Sequence, residues 1–349
     1  MCENSQTGAL AETPEAPRRT CGSFLLMDNH TVVVLAAPNE PQLGMLEELP
    51  PETTIAAGNA AQAFERAAPD ADVIFNWSGS GALLREVFGM CPRVQWVHSR
   101  AAGLDSQLFP DLVASPAVMT NGSGVFSPPL GEFALAAILY FAKDFRRMIR
   151  SQQAGIWDQF DITEIAGQTA GIVGYGDIGR AVAARLKPMG LDVLAMKRHG
   201  PPLYHVDPLV SRIFGPEARL EMMARCDYVV VSAPLTPETK GMIGAAEFAA
   251  MKPTAVVINV GRGPVIDEAA LIDALRAGRI KGAALDVFDT EPLPAGHPFY
   301  SLENLLLSPH CSDHTPDWLE RAMRFFLDQF ERFRKHEPLR SVVNKQLGY

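Results

Sequence analysis

The sequence predicts an α/β fold: two doubly wound parallel sheets, each in its own domain, with a cleft between them. Three observations carry this expectation. Short β-branched and apolar runs recur along the chain, separated by stretches of helical periodicity, as in parallel sheets covered on both faces. At 349 residues the chain is long enough for two domains, each burying its own core. With 47% hydrophobic and 20% charged residues it has a globular balance rather than a disordered one.

In chain order, the expected strands are Thr31–Leu35, Asp72–Phe75, Val94–His98, Thr169–Val173, Val193–Ala195, Tyr228–Val231, Val256–Asn259, Ala283–Leu285 and Leu305–Leu307. Residues 1–20 lack the apolar stretch of a signal peptide and read as a flexible tail. Arg18-Arg19 precedes only a short apolar run, interrupted at Asp28-Asn29-His30, so a twin-arginine export signal is the alternative. Asn121–Pro129 carries two Gly and two Pro, which places a domain boundary near residue 125. A long helix is expected from Glu132 to Arg150. Its first half, Phe133–Leu139, is so apolar that it must be buried in the core or against a second subunit, and a homodimer is the expectation. The last helix, Trp318–Arg334, is amphipathic, with Trp318, Phe325, Phe326 and Phe330 as anchors.

The formal net charge of −9, without a basic stripe, argues against a nucleic-acid surface, because phosphate binding needs clustered Lys and Arg. No run of eighteen apolar residues is present to span a membrane. The five cysteines are scattered and form no C-x-x-C pair, which fits a reduced cytoplasm and gives no metal site.

Chemistry enters at Thr169–Val173, a strand followed at once by Gly174-Tyr175-Gly176-Asp177-Ile178-Gly179 and then a helix. This is the dinucleotide-binding fingerprint of a Rossmann-like domain, in the required context. Gly174 permits the tight turn, Gly176 the close approach of a pyrophosphate, and Gly179 the packing of helix on strand, while the helix N-terminus offers free amides. Tyr175, Gly176, Asp177 and Ile178 are therefore cofactor-binding candidates. An NAD enzyme usually places an acidic residue ~20 positions further on. Lys197-Arg198-His199 stands there instead, which favours NADP over NAD, although NAD is possible, because Lys and Arg attract the 2′-phosphate that a carboxylate repels.

Downstream come Asn259-Val260-Gly261-Arg262-Gly263, Leu285-Asp286-Val287-Phe288, Glu291-Pro292 and Ser308-Pro309-His310. With Pro234–Thr239 and Met251-Lys252-Pro253, these motifs make the chain, from about Val32 onward, resemble the D-isomer-specific 2-hydroxy-acid dehydrogenases. Members of that family act on glyoxylate, hydroxypyruvate, phenylpyruvate, D-lactate, formate and 3-phosphoglycerate, and the resemblance points to the glyoxylate/hydroxypyruvate reductase branch. The chemistry suits the residues. A planar guanidinium such as that of Arg262 can hold the carboxylate and ketone of a 2-oxo acid. An imidazole such as that of His310, partnered by the Glu291 carboxylate, can donate a proton to the oxygen that becomes negative as hydride arrives at C2. The resemblance implies these three catalytic roles. It also implies that Asp286 lies near the nicotinamide carboxamide, counts Pro234 among the cofactor-binding residues, and gives the amides around Ala102 and Gly103 a grip on the substrate carboxylate.

Trp77 lines the pocket in some relatives, and a packed core aromatic is the plain alternative. Arg100 adds positive charge near the substrate or forms a structural salt bridge. The Cys311-Ser312-Asp313 sequence departs from the small apolar residues usual after the catalytic histidine, which leaves the pocket's polarity and the sensitivity of Cys311 to oxidation open. Together these readings give a substrate domain of residues 21–124 plus 315–349 and a dinucleotide-binding domain of residues 125–314. The expected reaction is NADPH-dependent reduction of a small 2-oxo acid. The rivals are an NAD-linked dehydrogenase for a larger or phosphorylated acid, and a dinucleotide-sensing scaffold resembling the C-terminal-binding corepressors.

Overall fold

The structure, a computed structural model, describes residues 29–198 and 207–349. The expected tail at 1–20, the start of the substrate domain at Cys21, Cys2 and His199 lie outside these residues.

The first sheet holds β1 (Thr31–Leu35), β2 (Thr54–Gly58), β3 (Val73–Asn76), β4 (Trp96–Ser99) and β5 (Val118–Thr120), in the order β2-β1-β3-β4-β5, all parallel. Helices α1 (Gly81–Phe88) and α2 (Pro110–Ala114) connect its later strands. Every residue of β3 and β4 is buried, the mark of a strand covered on both faces. The sequence reading missed β2, whose Thr-Ile-Ala-Ala-Gly run is mostly exposed, and β5, which has three residues. Both are edge strands, where apolar signal is weakest.

The chain then forms α3 (Ser127–Ala142) and α4 (Phe145–Ala154). The single helix expected over Glu132–Arg150 is thus two. The break falls at Asp144, which adopts a left-handed backbone at φ 50° and caps α4 by accepting a hydrogen bond from the Arg147 amide. Short polar side chains tolerate that conformation and satisfy free helix-end donors, so Asp144 both ends one helix and starts the next. The apolar face of α3 is buried within the subunit, against α5 (Asp177–Leu186). At Gly131 a Cβ would come 2.9 Å from the Ala181 carbonyl, so glycine sets the closeness of the two helices.

The second sheet comprises β6 (Thr169–Val173), β7 (Asp192–Met196), β8 (Arg212–Phe214), β9 (Tyr228–Val231), β10 (Val256–Asn259), β11 (Gly282–Leu285) and β12 (Leu305–Leu307), with α6 (Arg219–Arg225), α7 (Ala245–Ala250) and α8 (Glu268–Arg276) between later strands. Its order is β12-β11-β10-β9-β6-β7-β8, again all parallel. Strand order reverses between β6 and β9, the switch point at which open α/β sheets bind ligands. The glycine loop follows β6 there.

The final helix, α9 (Trp318–Arg334), returns to the first sheet. Phe326 stacks on Phe75 with ring centroids 3.9 Å apart and also on Trp96, and Phe330 is equally buried. Burying such a ring contributes about 2–3 kcal/mol. Beyond α9, Val342 bridges Thr120 and the Lys345 ammonium donates to the carbonyls of Leu112, Ser115 and Ala117, which ties the last residues to the same sheet. Among the described residues no helix is long and apolar enough to cross a membrane.

Candidate functional site

At the glycine loop the backbone does what the spacing demands. Gly174 has φ +93°, and a Cβ there would lie 2.6 Å from the Ala233 backbone. Open space surrounds the place where Gly176 would carry a side chain, and α5 starts at the next residue, so its free amides face that space. A cavity of about 300 Å³ opens here, lined by Tyr175, Gly176, Asp177, Arg180, Lys197 and Asp207. These features fit a dinucleotide: backbone close approach for the pyrophosphate, with cations at the rim.

Not foreseen from the sequence is the latch across this cavity. The Tyr175 hydroxyl and Arg180 Nε both donate to Asp207 Oδ2, each at 3.0 Å. Burial and this bond push the Tyr175 hydroxyl's pKa up. Burial opposes ionisation of Asp207, but the Leu209 amide, Tyr175 and Arg180 together hold its carboxyl below the usual range. Asp207 lies 32 residues from Tyr175, in no recognisable motif, so only the fold could reveal it.

The two cations after β7 are placed differently. Lys197 is exposed, and among the described residues its ammonium has no partner. Arg198 donates to Glu238 Oε2 at 3.1 Å and lies over the Tyr349 ring. Asp177 accepts from Ser123 Oγ at 2.6 Å, a bond between the loop before α3 and the glycine loop. Ile178 is half-buried, and Pro234 is exposed at the end of the β9 loop, its carbonyl accepting from Thr239.

Arg262, Glu291 and His310 are brought together by three loops at the C-terminal ends of β10, β11 and β12. Buried Asn259 shapes the first, its side chain accepting from the Gly261 amide and donating to the Arg262 carbonyl, both at 3.0 Å. The turn after Arg262 rests directly on the next loop: a Cβ at Gly263 would collide with the Phe288 carbonyl. In that loop the Phe288 amide donates to Glu291 Oε1 at 2.9 Å, and Glu291 Oε2 meets His310 Nδ1 at 2.6 Å. The carboxylate is therefore oriented by a backbone donor on one oxygen and orients the imidazole with the other, leaving Nε2 open.

Asp286 is buried and supports this arrangement from below. Its carboxylate accepts from Ser308 Oγ (2.6 Å), the amides of Cys311 (3.0 Å) and Ser312 (3.1 Å), and Ser312 Oγ (2.5 Å). These donors flank His310, which sits at φ 50°. Both carboxylate oxygens thus hold the histidine loop in place. Ser312, in the unusual stretch after His310, is one of these donors, and the Cys311 side chain is exposed.

Across the cleft, Gly103 stands against the Arg262 guanidinium: a Cβ there would overlap Nη2. Arg262 Nε donates to Asp105 Oδ1 at 2.9 Å, and Nη1 to the Gly261 carbonyl at 2.9 Å. Asp105 is the partner of Arg262. Asp267 caps α8, its side chain accepting from the Ala270 amide. The Ala102 carbonyl accepts from Asn121 at 2.6 Å, which fixes the loop. Trp77 is 1% exposed and packs edge-on to Phe75. No salt bridge forms at Arg100 among the described residues; its guanidinium lies between the rings of Trp77 and Trp318. His297 bonds Glu268 at 3.0 Å and caps the turn after it.

Residues 135–312 match the sequence profile of the NAD-binding domain of D-isomer specific 2-hydroxyacid dehydrogenases. A glyoxylate reductase from Thermococcus gammatolerans is 34% identical over 75% of this chain and 80% of its own length. A D-3-phosphoglycerate dehydrogenase from Methanocaldococcus jannaschii is 28% identical over 90% of this chain, which spans 59% of that protein. Among solved structures, a D-isomer specific 2-hydroxyacid dehydrogenase from Xanthobacter autotrophicus Py2, in complex with NADPH and MES, superposes with a TM-score of 0.79 at 30% identity, covering 92% of this chain and all of that one. Fold, ordered motifs and these matches agree: the chain belongs to the D-isomer specific 2-hydroxyacid dehydrogenase family of NAD(P)-dependent oxidoreductases.

Proposed function

We propose that the protein reduces a small 2-oxo acid of the glyoxylate or hydroxypyruvate type to its D-2-hydroxy acid, with NADPH as the electron donor and His310 as the proton donor. The bound cofactor supplies the hydride that adds to C2. Arg262 clamps the substrate carboxylate and polarises the ketone, with the amides around Ala102 and Gly103 completing the grip. Glu291 keeps the His310 ring turned so that Nε2 faces the developing alkoxide and stabilises the imidazolium before its proton is given up. Residues of 21–124 and 315–349 form the substrate half and residues 125–314 the cofactor half. The observation that carries the reading is the connected set Arg262–Gly263, Phe288–Glu291 and His310, built from one sheet and faced by Gly103 of the other.

Support for NADPH comes from the Lys197 ammonium beside the cofactor cavity, which has no partner among the described residues, and from the NADPH complex of the Xanthobacter relative. An NAD-linked enzyme is the second reading, favoured by the pairing of Arg198 with Glu238, which takes one of the two cations out of use. The protein is read as a homodimer in the cytoplasm. A further candidate face for the dimer is the exposed strip of Met148 and Ile149 on α4 and Ile156 and Trp157 after it. The test of the whole reading is a panel of 2-oxo acids followed by absorbance with NADPH and NADH. Turnover of glyoxylate or hydroxypyruvate with NADPH supports it, and binding of NADPH without turnover of any 2-oxo acid sinks it in favour of a scaffold.

A further inference from the structure

Arg100 lies two residues before Ala102, at the C-terminal end of β4, on the side of the cleft where parallel sheets present their ligands. Its guanidinium carbon is 4.9 Å from the Trp77 ring centre and 5.1 Å from that of Trp318. Trp318 is itself held in place, stacked on His314 at 4.2 Å and 12° and edge-on to Phe126. The two indoles hold the guanidinium by cation–π contact and fix its orientation. Such contacts leave its N–H donors free, because those lie in its plane and an aromatic face accepts none of them well.

Among the described residues no acceptor takes any of these donors and no carboxylate stands within ion-pairing distance. The charges that act on Arg100 from further away are Glu40 and Asp313. Asp313, three residues after His310, is half-buried, and burial raises its carboxyl's pKa. A half-buried, pre-oriented guanidinium without an acceptor has the form of an anion site.

We infer that Arg100 is a second anion-recognising residue of the substrate pocket, so that the favoured substrates are 2-oxo acids carrying another anionic group, carboxylate or phosphate, beyond C2. The inference deepens the proposed function and rests on it: Arg262 and the Gly103 loop take the first carboxylate and the ketone, and Arg100 takes the far end. Trp77 and Trp318 act as positioning residues that hold the guanidinium rather than touch the substrate.

The experiment compares kcat/KM for glyoxylate and hydroxypyruvate, which have no second anion, with oxaloacetate (second carboxylate) and phosphohydroxypyruvate (phosphate), in the wild type and in Arg100→Gln and Arg100→Lys. The wild type is expected to favour at least one dianionic substrate over hydroxypyruvate, and which one identifies the group. In Arg100→Gln the ratio of dianionic to hydroxypyruvate kcat/KM should fall about 10–100-fold, mainly through KM, the size of a lost charge-assisted hydrogen bond. Arg100→Lys should recover part of it. Competitive inhibition of the wild type by tartronate and by glycolate reads the same discrimination without a variant: tighter binding of tartronate is expected. An unchanged ratio, an equal fall for all substrates, or equal inhibition by the two acids overturns the inference while leaving the proposed function intact. Failure of the wild type to reduce any 2-oxo acid overturns both.

Discussion

Gly103 and Arg262 touch across the cleft, the guanidinium Nη2 occupying the place where any side chain at position 103 would begin. The contact joins the two halves of the site and makes glycine a requirement of distance rather than of backbone angle. Gly103→Ala should therefore push the guanidinium aside. A displacement of ~1 Å costs on the order of 100-fold in rate. The expected result is a fall of that size in kcat/KM with the Kd for NADPH unchanged, read by steady-state kinetics and fluorescence titration. Wild-type kinetics in this variant would mean Arg262 works from another position.

The bond of Glu291 to His310 predicts a different pattern. His310→Asn should lower kcat by about 10²–10⁴, the contribution of a positioned general acid, and leave cofactor affinity in place. Glu291→Gln should also lose activity, since one amide oxygen cannot accept from both the Phe288 amide and the imidazole Nδ1 and does not stabilise the imidazolium. Full turnover in His310→Asn would assign the proton to another group.

For the cofactor, Lys197→Asp should reduce the ratio of NADPH to NADH specificity constants by about 10–100-fold, the range for exchanging a charge-assisted contact for repulsion. The ratio is read from initial rates with each cofactor. If it does not move, Lys197 is a solvated surface cation.

Asp313 yields a prediction about pH. Burial raises its carboxyl above the usual carboxylate range, so the folded protein holds this proton to higher pH than the unfolded chain. Stability contributed by this group is thus greatest in acid and declines as pH rises from the ordinary carboxylate value through the raised one. Asp313→Asn should raise Tm relative to the wild type at neutral pH, with the difference closing as pH falls below that window. Thermal melts across pH check it, and a gain that persists in acid would point to a cause other than titration.

Exposed Trp157 is 92% accessible, next to Ile156 at 61%. If this strip is the face of a homodimer, Trp157→Asp should shift the protein toward monomer in light scattering behind size exclusion. An unchanged mass would place the interface elsewhere.

The residues also separate what was legible in the chain from what was not. The sequence by itself determined the strands of the sheet centres, the last helix from Trp318 to Arg334, the glycine loop, and the order of Arg262, Glu291 and His310, because a buried strand needs an unbroken apolar run and a phosphate turn needs glycine at set intervals. It did not reveal the edge strands β2, β5 and β8 or the break at Asp144, where local signals are weak. Only the tertiary structure decided which distant groups meet: Asp105 with Arg262, Asp207 with Tyr175 and Arg180, Asp286 with the histidine loop, and Arg100 between two tryptophans. These pairings span from tens of residues to more than a hundred, and no local periodicity records them. They are settled by how two parallel sheets place their loops around one cleft.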